Sequence, residues 1–569
     1  LHSGARTFGF PARFMLITSI PSPPVAISVA RSARRASYPA TLPQDHADRR
    51  PEDGSLCRPS CSATPLLHHR RGRQLPNFVG NCEMRIESEI DEIKARRICI
   101  DCIGEPFLSA QVEQADNKGT CHYCGAEDAP TIAIEELAGD VAGAFERHFQ
   151  CTATEPDGLE YWLIKEGLLD WDRHGDPVAL VIAEAAMIDE EPAEDLRLVL
   201  ENANEDMERD QMGEEGPFDE DAQYQEAEIN DAEFQAAWRH FEQGLTTELR
   251  FFNKSAEAVL RMVFEDIAVA KNKVGQTVIR ICGPGTDLNA VYRARVFTSD
   301  GKLEDAIMSP DREVGAPPSW AATAGRMNAR GISVFYGATE ETIALAEVRP
   351  PVGSRVAVGR FDIVRSVRLL DVAALQSLIV EGSIFDPHYA RQLERARFLK
   401  RLSARITMPV MPDDEAMYHL VTQAMADYLV GRTDLNLDGI LYPSVQADEA
   451  GHNVVLFHRS ARCEAIEVPT GTVVKASLYH HSKDGAEADY WVWETVPPQP
   501  AEKPQDTDGF PGFEIFLNPI EADSADVRPT TLRVDTAALK VHHVKAITFK
   551  TEIHDVKRHR TTHHSKEDF

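Results

Sequence analysis

Four cysteines stand in two pairs, Cys99 with Cys102 in RRICIDC and Cys121 with Cys124 in CHYCG, and 18 residues separate the pairs. Thiolates are soft ligands, and two such Cys-x2-Cys turns at this separation suit a tetrahedral zinc site with no open position. A zinc held in this way is structural and ties together a small unit with too little apolar core of its own. Four free thiols are the alternative. Gly125 gives the second turn the backbone freedom a knuckle needs, and His122, between the cysteines, is read as solvated. A different chemistry is suggested by AGRMNARGISVFYGATEETIALAEVRPP, residues 324–351, where a short helix carries a lone carboxylate, Glu347, in its last turn. With Thr339 as the cap, Ile343 and Glu347 lie four apart on one face, the isoleucine toward the core and the acid at its edge. An acid at that edge is costly to desolvate without a partner, so an arginine or a ligand is expected beside it. An ordinary solvated Glu347 would instead pair with Arg349 or Arg355.

The elements around these residues change character along the chain. At 569 residues the protein is too long for one core, so two or three domains are expected. Residues 1–83 hold 11 Arg, no Lys and 5 acids, whereas the remainder carries 49 basic and 86 acidic residues. The first segment has no helical or alternating period, which predicts a disordered basic stretch. A targeting peptide is broken by its prolines, and the segment reads as upstream sequence outside the native coding region, with Met84 as the start. A zinc-knuckle-like unit is expected over 84–130. Over 131–275 EELAGDVAGAFERHF, DPVALVIAEAAM and SAEAVLRMVFEDIAVA repeat apolar residues at helical steps, with Val259, Met262, Val263 and Ile267 on one face. Within this part, 189–233 holds 19 Asp or Glu in 45 positions and reads as a solvated acidic loop, an unfavourable surface for nucleic acid. No apolar run of about 18 residues occurs, so no membrane span is expected. The sparse, grouped cysteines favour a reducing, cytoplasmic setting.

From residue 287 the texture is mixed. VYRARVF (291–297), ISVFYG (332–337), RVAVGRFDIV (355–364) and DGILYPSV (438–445) read as strands from their β-branched and aromatic content. PHYARQLERARFLKRLSARI and EAMYHLVTQAMADYLVGR read as helices, with Pro387 suited to a first turn. Residues 461–569 read as a β-rich extension, with strands in VVKASLYHH, YWVWETV, FEIFLN and HHVKAITFKTEI and a basic, His-rich end. An α+β chain is the result.

YRAR, GRMNARG, VFYGATEETIALAEV and DGILYPSV followed by HNVVLF, in this order over residues 287–460, together resemble the RES domain. That family implies an ADP-ribosyltransferase-like mixed β/α fold that binds NAD as its substrate and releases nicotinamide by phosphorolysis or hydrolysis. Phosphate or water is then the acceptor, and protein mono-ADP-ribosylation is a further activity the fold allows. A pocket that binds nucleotide without turnover is the non-enzymatic alternative. The resemblance places the family's arginines on Arg293 and Arg326, its Asn on Asn328, its aromatic on Tyr336, its acid on Glu347 and its serine on Ser444. In chemical terms Glu347 would stabilise positive charge developing on the ribose, Arg293 and Arg326 would clamp the pyrophosphate, Tyr336 would stack on nicotinamide, and Ser444 would donate to a phosphate. Arg293 and Arg295 share a strand face, and the resemblance alone selects Arg293. Ala324 and Met327 stand where family members commonly have Gly and Trp. The resemblance also implies a toxin or defence effector, with an antitoxin or other regulatory protein as a partner. The zinc and helical part is similar to HEPN-related extensions fused to some RES domains. The Arg-x4–6-His pair of HEPN ribonuclease chemistry is absent from 131–270, so that activity is not assigned.

Overall fold

Two-residue alternation organises the centre of the molecule. In Ala290–Phe297 the residues Val291 and Phe297 are buried on one side and Ala294 on the other, so both faces of this strand must be covered. A computed structural model describes residues 88–560, except 250, 409–414, 445, 447–450, 484, 499–525 and 549. Residues 1–83, and the expected strand FEIFLN, lie outside the described residues.

The N-terminal unit contains β1 (Arg97–Cys99), β2 (Ala129–Ala133), α1 (Ile134–His148), α2 (Val178–Ala186) and α3 (Glu190–Ala203). β1 and β2 pair antiparallel, Arg97 opposite Ala133 and Cys99 opposite Thr131. The helices close over them with Leu137, Val141, Phe145, Ile182, Leu196 and Leu200 in one apolar cluster. Helix α3 lies in the segment 189–233, which therefore is not simply the solvated acidic loop its composition suggests. Glu190 and Glu191 face water while Leu196, Val199 and Leu200 are buried together with Asp195, and Arg197 is shared between Glu194 and Glu201 at 2.8 Å each. A high acid count describes one face of a helix as well as it describes a loop.

Helices α4 (Ala232–Thr247) and α5 (Lys254–Val263) follow. The next strands and helices are β3 (Ile279–Cys282), β4 (Ala290–Phe297), α6 (Asp300–Met308), β5 (Phe335–Ala338), α7 (Glu341–Glu347), β6 (Arg355–Ile363) and β7 (Val367–Asp371). After them come α8 (Pro387–Thr407), α9 (Glu415–Gly431), β8 (Gly439–Pro443), β9 (His452–Leu456), the hairpin β10 (Val473–Ser482) and β11 (Gly485–Thr495), and β12 (Leu532–His543). Eight strands form one sheet in the order β12-β6-β4-β5-β9-β8-β7-β3. Every neighbouring pair is antiparallel except β7 with β8. This is an α+β architecture.

One face of the sheet carries Ile279, Leu370, Ile440 and Val455 against α4, α5, α8 and α9, and Ala294, Ala338, Val356 and Val358 against α7. The other face carries Val291, Phe335, Phe361, Leu441 and Leu456 against α6 and the β10–β11 hairpin. Helices α4 and α5 were expected with the N-terminal helices, yet Trp238 and Phe234 pack on Phe398 of α8, with ring centroids 5.6 and 5.8 Å apart. Electrostatics follows the same line. The arginines of α8 meet acids preceding, within and following α4 and α5, with Arg401–Asp231 at 2.8 Å, Arg405–Glu242 at 2.7 Å and Arg395–Glu265 at 3.2 Å. Sequence periodicity finds a helix but not the partner that covers it.

At the C-terminal end the strand is Leu532–His543, not HHVKAITFKTEI, of which only His542 and His543 are in the strand. β12 pairs along β6 from Ile363↔Leu532 to Arg355↔His543, with an irregularity between Val358 and Arg360. No helix among the described residues is long and apolar enough to cross a membrane.

Ile384 and Phe385, just before α8, complete the N-terminal cluster, and there the His148 ring lies 5.8 Å from that of Tyr389. Its Nε2 is buried without a partner among the described residues. Burial, with the nearby Arg147 guanidinium, pushes this imidazole down from 6.5 to about 4. The unfolded chain therefore binds a proton that the folded chain refuses between those two values. Stability should be flat above about pH 6.5 and fall as pH drops toward 4, and His148→Phe should flatten that slope; urea melts across this range provide the check.

Candidate functional site

The short helix α7 brings its acid to the sheet. Glu340 is the residue preceding it, not Thr339; Thr339 instead joins the next strand, its N–H donating to the His452 carbonyl at 2.9 Å and its Oγ1 accepting from the His452 N–H at 3.1 Å. Ile343 is fully buried, as the four-residue spacing required. Glu347 is exposed as a residue, but its Oε1 accepts two hydrogen bonds, from Ser444 Oγ at 2.8 Å and from Asn453 Nδ2 at 2.7 Å. Arg349 and Arg355 do not pair with it; Arg355 is bound to Asp300 and to the Tyr479 hydroxyl. Among the described residues no cation neutralises Glu347.

A second cluster lies on the same face of the sheet. Tyr336 Oη donates to Asn328 Oδ1 at 2.8 Å and accepts from the Met327 N–H at 2.9 Å. Asn328 is almost fully buried, and its Nδ2 donates to the carbonyls of Thr323 and Ile332, both at 2.9 Å. The Asn of GRMN thus folds its own loop. Gly325 is required there, because a Cβ would come within 2.7 Å of Tyr336 Oη and 2.9 Å of Asn328 Oδ1. Met327, at the family's Trp position, is buried in the apolar cluster shared with α9. Burial pushes the Tyr336 phenol up to about 12, against the lowering effect of the Met327 N–H, Arg293 and Arg326.

Tyr442 and Asn453 were not singled out from sequence, although both lie in quoted segments. Tyr442 of β8 pairs opposite Asn453 of β9, which pairs opposite Ala338 of β5, so their side chains share one face. The Tyr442 ring is buried and its hydroxyl has no partner among the described residues. Burial raises that phenol, and the charges of Glu347 and Tyr336 raise it further while Arg326 lowers it. Period-two reading of ILYPS and HNVVLF could have flagged both residues.

The two arginines are placed differently. Arg326 lies at the C-terminus of α8, where its Nη1 donates to the Ile406 carbonyl and its Nη2 to the Met408 carbonyl at 3.0 Å. Cations belong at that end of a helix. Arg293 alternates with Tyr292, and register therefore sets it on the face opposite Glu347, where it lies over the Phe335 ring at 5.2 Å. Burial, then Arg295, pushes its guanidinium down to about 10, partly offset by Tyr336, and its Nη1 is buried with no partner among the described residues. β4 and β5 pair only through Tyr292 and Ala338. Arg295 is engaged with Glu313. Geometry therefore separates the two arginines that sequence alone left equivalent: one is satisfied, the other waits. The structure brings Glu347 together with Ser444, and Tyr336 with Asn328; it does not bring Arg293 into contact with Glu347. A cavity of about 500 Å³ lined by Lys271, Leu378 and Arg395 shares no residue with these clusters.

The cysteine centre is compact. Cys99 and Cys102 sulfurs are 3.6 Å apart, Cys99 and Cys124 3.5 Å, and Cys102 and Cys121 3.9 Å, and all four lie within 4.8 Å of one another. Four sulfurs on ~2.3 Å bonds to zinc define a tetrahedron with edges of ~3.8 Å, so the set fits a structural zinc. Gly125 adopts φ 72°, the left-handed turn its position needed. His122 is not in the cluster. Tyr123, from the same turn, donates to Asp195 Oδ2 at 2.6 Å, and Arg96 pairs with the same carboxylate, which ties the knuckle to α3.

Residues 291–478, about a third of the chain, match the family model described as the RES domain. No curated protein and no solved structure matches the chain. In coarse terms the match supports an NAD-acting function for that span and an α+β fold.

Purified protein should carry about one zinc per chain by elemental analysis, and Cys121→Ser should lose the metal and lower the melting temperature of the N-terminal unit. Metal-free protein with unchanged melting would remove the centre.

Proposed function

We propose that the RES-like span binds NAD and cleaves its nicotinamide–ribose bond, acting as an NAD phosphorylase or glycohydrolase. The observation that carries this reading is the Glu347 carboxylate, whose Oε1 is held by two neutral donors while no cation among the described residues neutralises it. Such a group is set to face positive charge. In the reaction the C1′–N bond breaks, its electron pair leaves with the pyridinium nitrogen, and the ribose carbon becomes oxocarbenium-like. Glu347 stabilises that charge through a preorganised field worth typically a few kcal/mol. A phosphate or water oxygen then bonds to the carbon, losing its proton to solvent, and gives ADP-ribose 1″-phosphate or ADP-ribose.

Tyr336 and Tyr442 line the approach with aromatic surface suited to nicotinamide and ribose. The Nη1 of Arg293, without a partner among the described residues, is a buried donor that an anion would satisfy, but it lies on the face of the sheet opposite Glu347. Arg326 would serve the pyrophosphate after exchanging the α8 carbonyls for phosphate oxygens. Ser444 acts first on Glu347 and only through it on the sugar. The zinc-bearing helical part is read as the element that senses a signal or restrains a toxin or defence activity.

Incubating the full chain with NAD, with and without phosphate, and following nicotinamide, ADP-ribose 1″-phosphate and protein-bound label tests the reading. Free nicotinamide without labelled protein is expected; labelled protein would mark a transferase, and intact NAD would end the proposal. Glu347→Gln keeps the shape and removes the charge, so turnover should fall by about 100- to 1,000-fold with melting unchanged.

A further inference from the structure

We infer that Asn453 is a positioning residue for the NAD-cleaving carboxylate, fixing which oxygen of Glu347 works on the substrate; the inference rests on the NAD reading above. Asn453 is 5% exposed and lies in β9 between β5 and β8, opposite Ala338 and Tyr442. Its Nδ2 donates to Glu347 Oε1 at 2.7 Å, the same oxygen that accepts from Ser444. Oε2 is left without a protein partner among the described residues, so one oxygen is tied to the sheet and the other is offered outward.

Three consecutive residues build this arrangement. A Cβ on Gly451 would meet Ile343 Cδ1 at 1.6 Å, so the glycine makes the seat for the buried anchor of α7. The backbone of His452 holds Thr339 at the entry to that helix. Asn453 then holds the last residue of the helix, Glu347. The start of β9 thus locates α7 at its beginning, middle and end. Ser444 is half-buried and bound through a rotatable hydroxyl, whereas Asn453 is enclosed and approaches from the sheet with a planar amide. The buried amide therefore sets the carboxylate plane. Ala338, the small residue opposite Asn453, keeps the path from the strand to α7 clear. The charges of Glu347, Tyr336 and Arg326 act on the neighbouring Tyr442.

Two variants of the full chain test this by steady-state kinetics with NAD. Asn453→Leu keeps the branched shape of the side chain and removes the donor, so kcat should fall by about 10- to 100-fold while KM for NAD stays within about twofold. Asn453→Asp sets a second carboxylate against the first. While the pair holds one proton the donor is restored, and once that proton leaves the two charges repel. Activity of Asn453→Asp relative to wild type should therefore decline as pH rises, whereas Asn453→Leu should stay low at every pH. A wild-type kcat in Asn453→Leu overturns the inference alone, as does a pH-independent Asn453→Asp ratio. Loss of cooperative melting in both variants would make Asn453 a structural residue and overturn it too. A wild-type chain that releases no nicotinamide overturns the NAD reading and this inference with it.

Discussion

The tie between a seven-residue helix and a β-sheet governs the geometry of this site. A helix of that length does not hold itself together in water, and α7 has no side-chain cap at its start. Its place is fixed by the burial of Ile343 and by the hydrogen bonds that Ser444 and Asn453 make to Glu347. The carboxylate is thus both the end of the helix and its fastening to the sheet. That double duty explains how an exposed acid can keep a defined orientation without an ion pair.

The arginines show how one residue type serves several ends. Arg295 and Arg355 are consumed by Glu313 and Asp300, and Arg326 closes the C-terminus of α8. Those of α8 itself bind the acids around α4 and α5, which leaves little of that basic face for an outside polyanion. Arg293 differs because one of its nitrogens is buried and unsatisfied. A buried guanidinium donor left without a partner is costly.

The N-terminal unit is joined to the rest by more than sequence. Phe385, ahead of α8, completes its apolar cluster, and His148 rests near Tyr389. The knuckle itself is anchored through Tyr123 and Arg96 to Asp195 of α3. A change at the cysteine cluster can therefore reach α3 through Asp195, and the helical cluster in turn reaches the start of α8, whose far end holds Arg326. This continuity gives a physical route from the cysteine centre to the candidate site.

Much of the site was legible in the chain itself. The cysteine spacing suggested a four-sulfur centre beside the alternative of four free thiols, and the fold brings the four sulfurs within 4.8 Å of one another. The three-and-four spacing of Ile343 and Glu347 placed one inside and one at the edge, since a helix repeats every 3.6 residues. The position of Glu347, Ser444, Tyr336 and Asn328 in two clusters agrees with the order of short segments read along the sequence. Register was beyond its reach. Which face Arg293 takes relative to Glu347, and that Asn453 stands opposite both Ala338 and Tyr442, follow from pairings between separate strands, some of them far apart in the chain. Strand alternation tells which residues share a face within one strand, but only the hydrogen-bonded pairing of separate strands decides whose faces coincide. For the same reason the helical period revealed α3, α4 and α5 as amphipathic or left them hidden among acids, while the surfaces they cover were decided by the tertiary packing of Trp238 and Phe234 on Phe398.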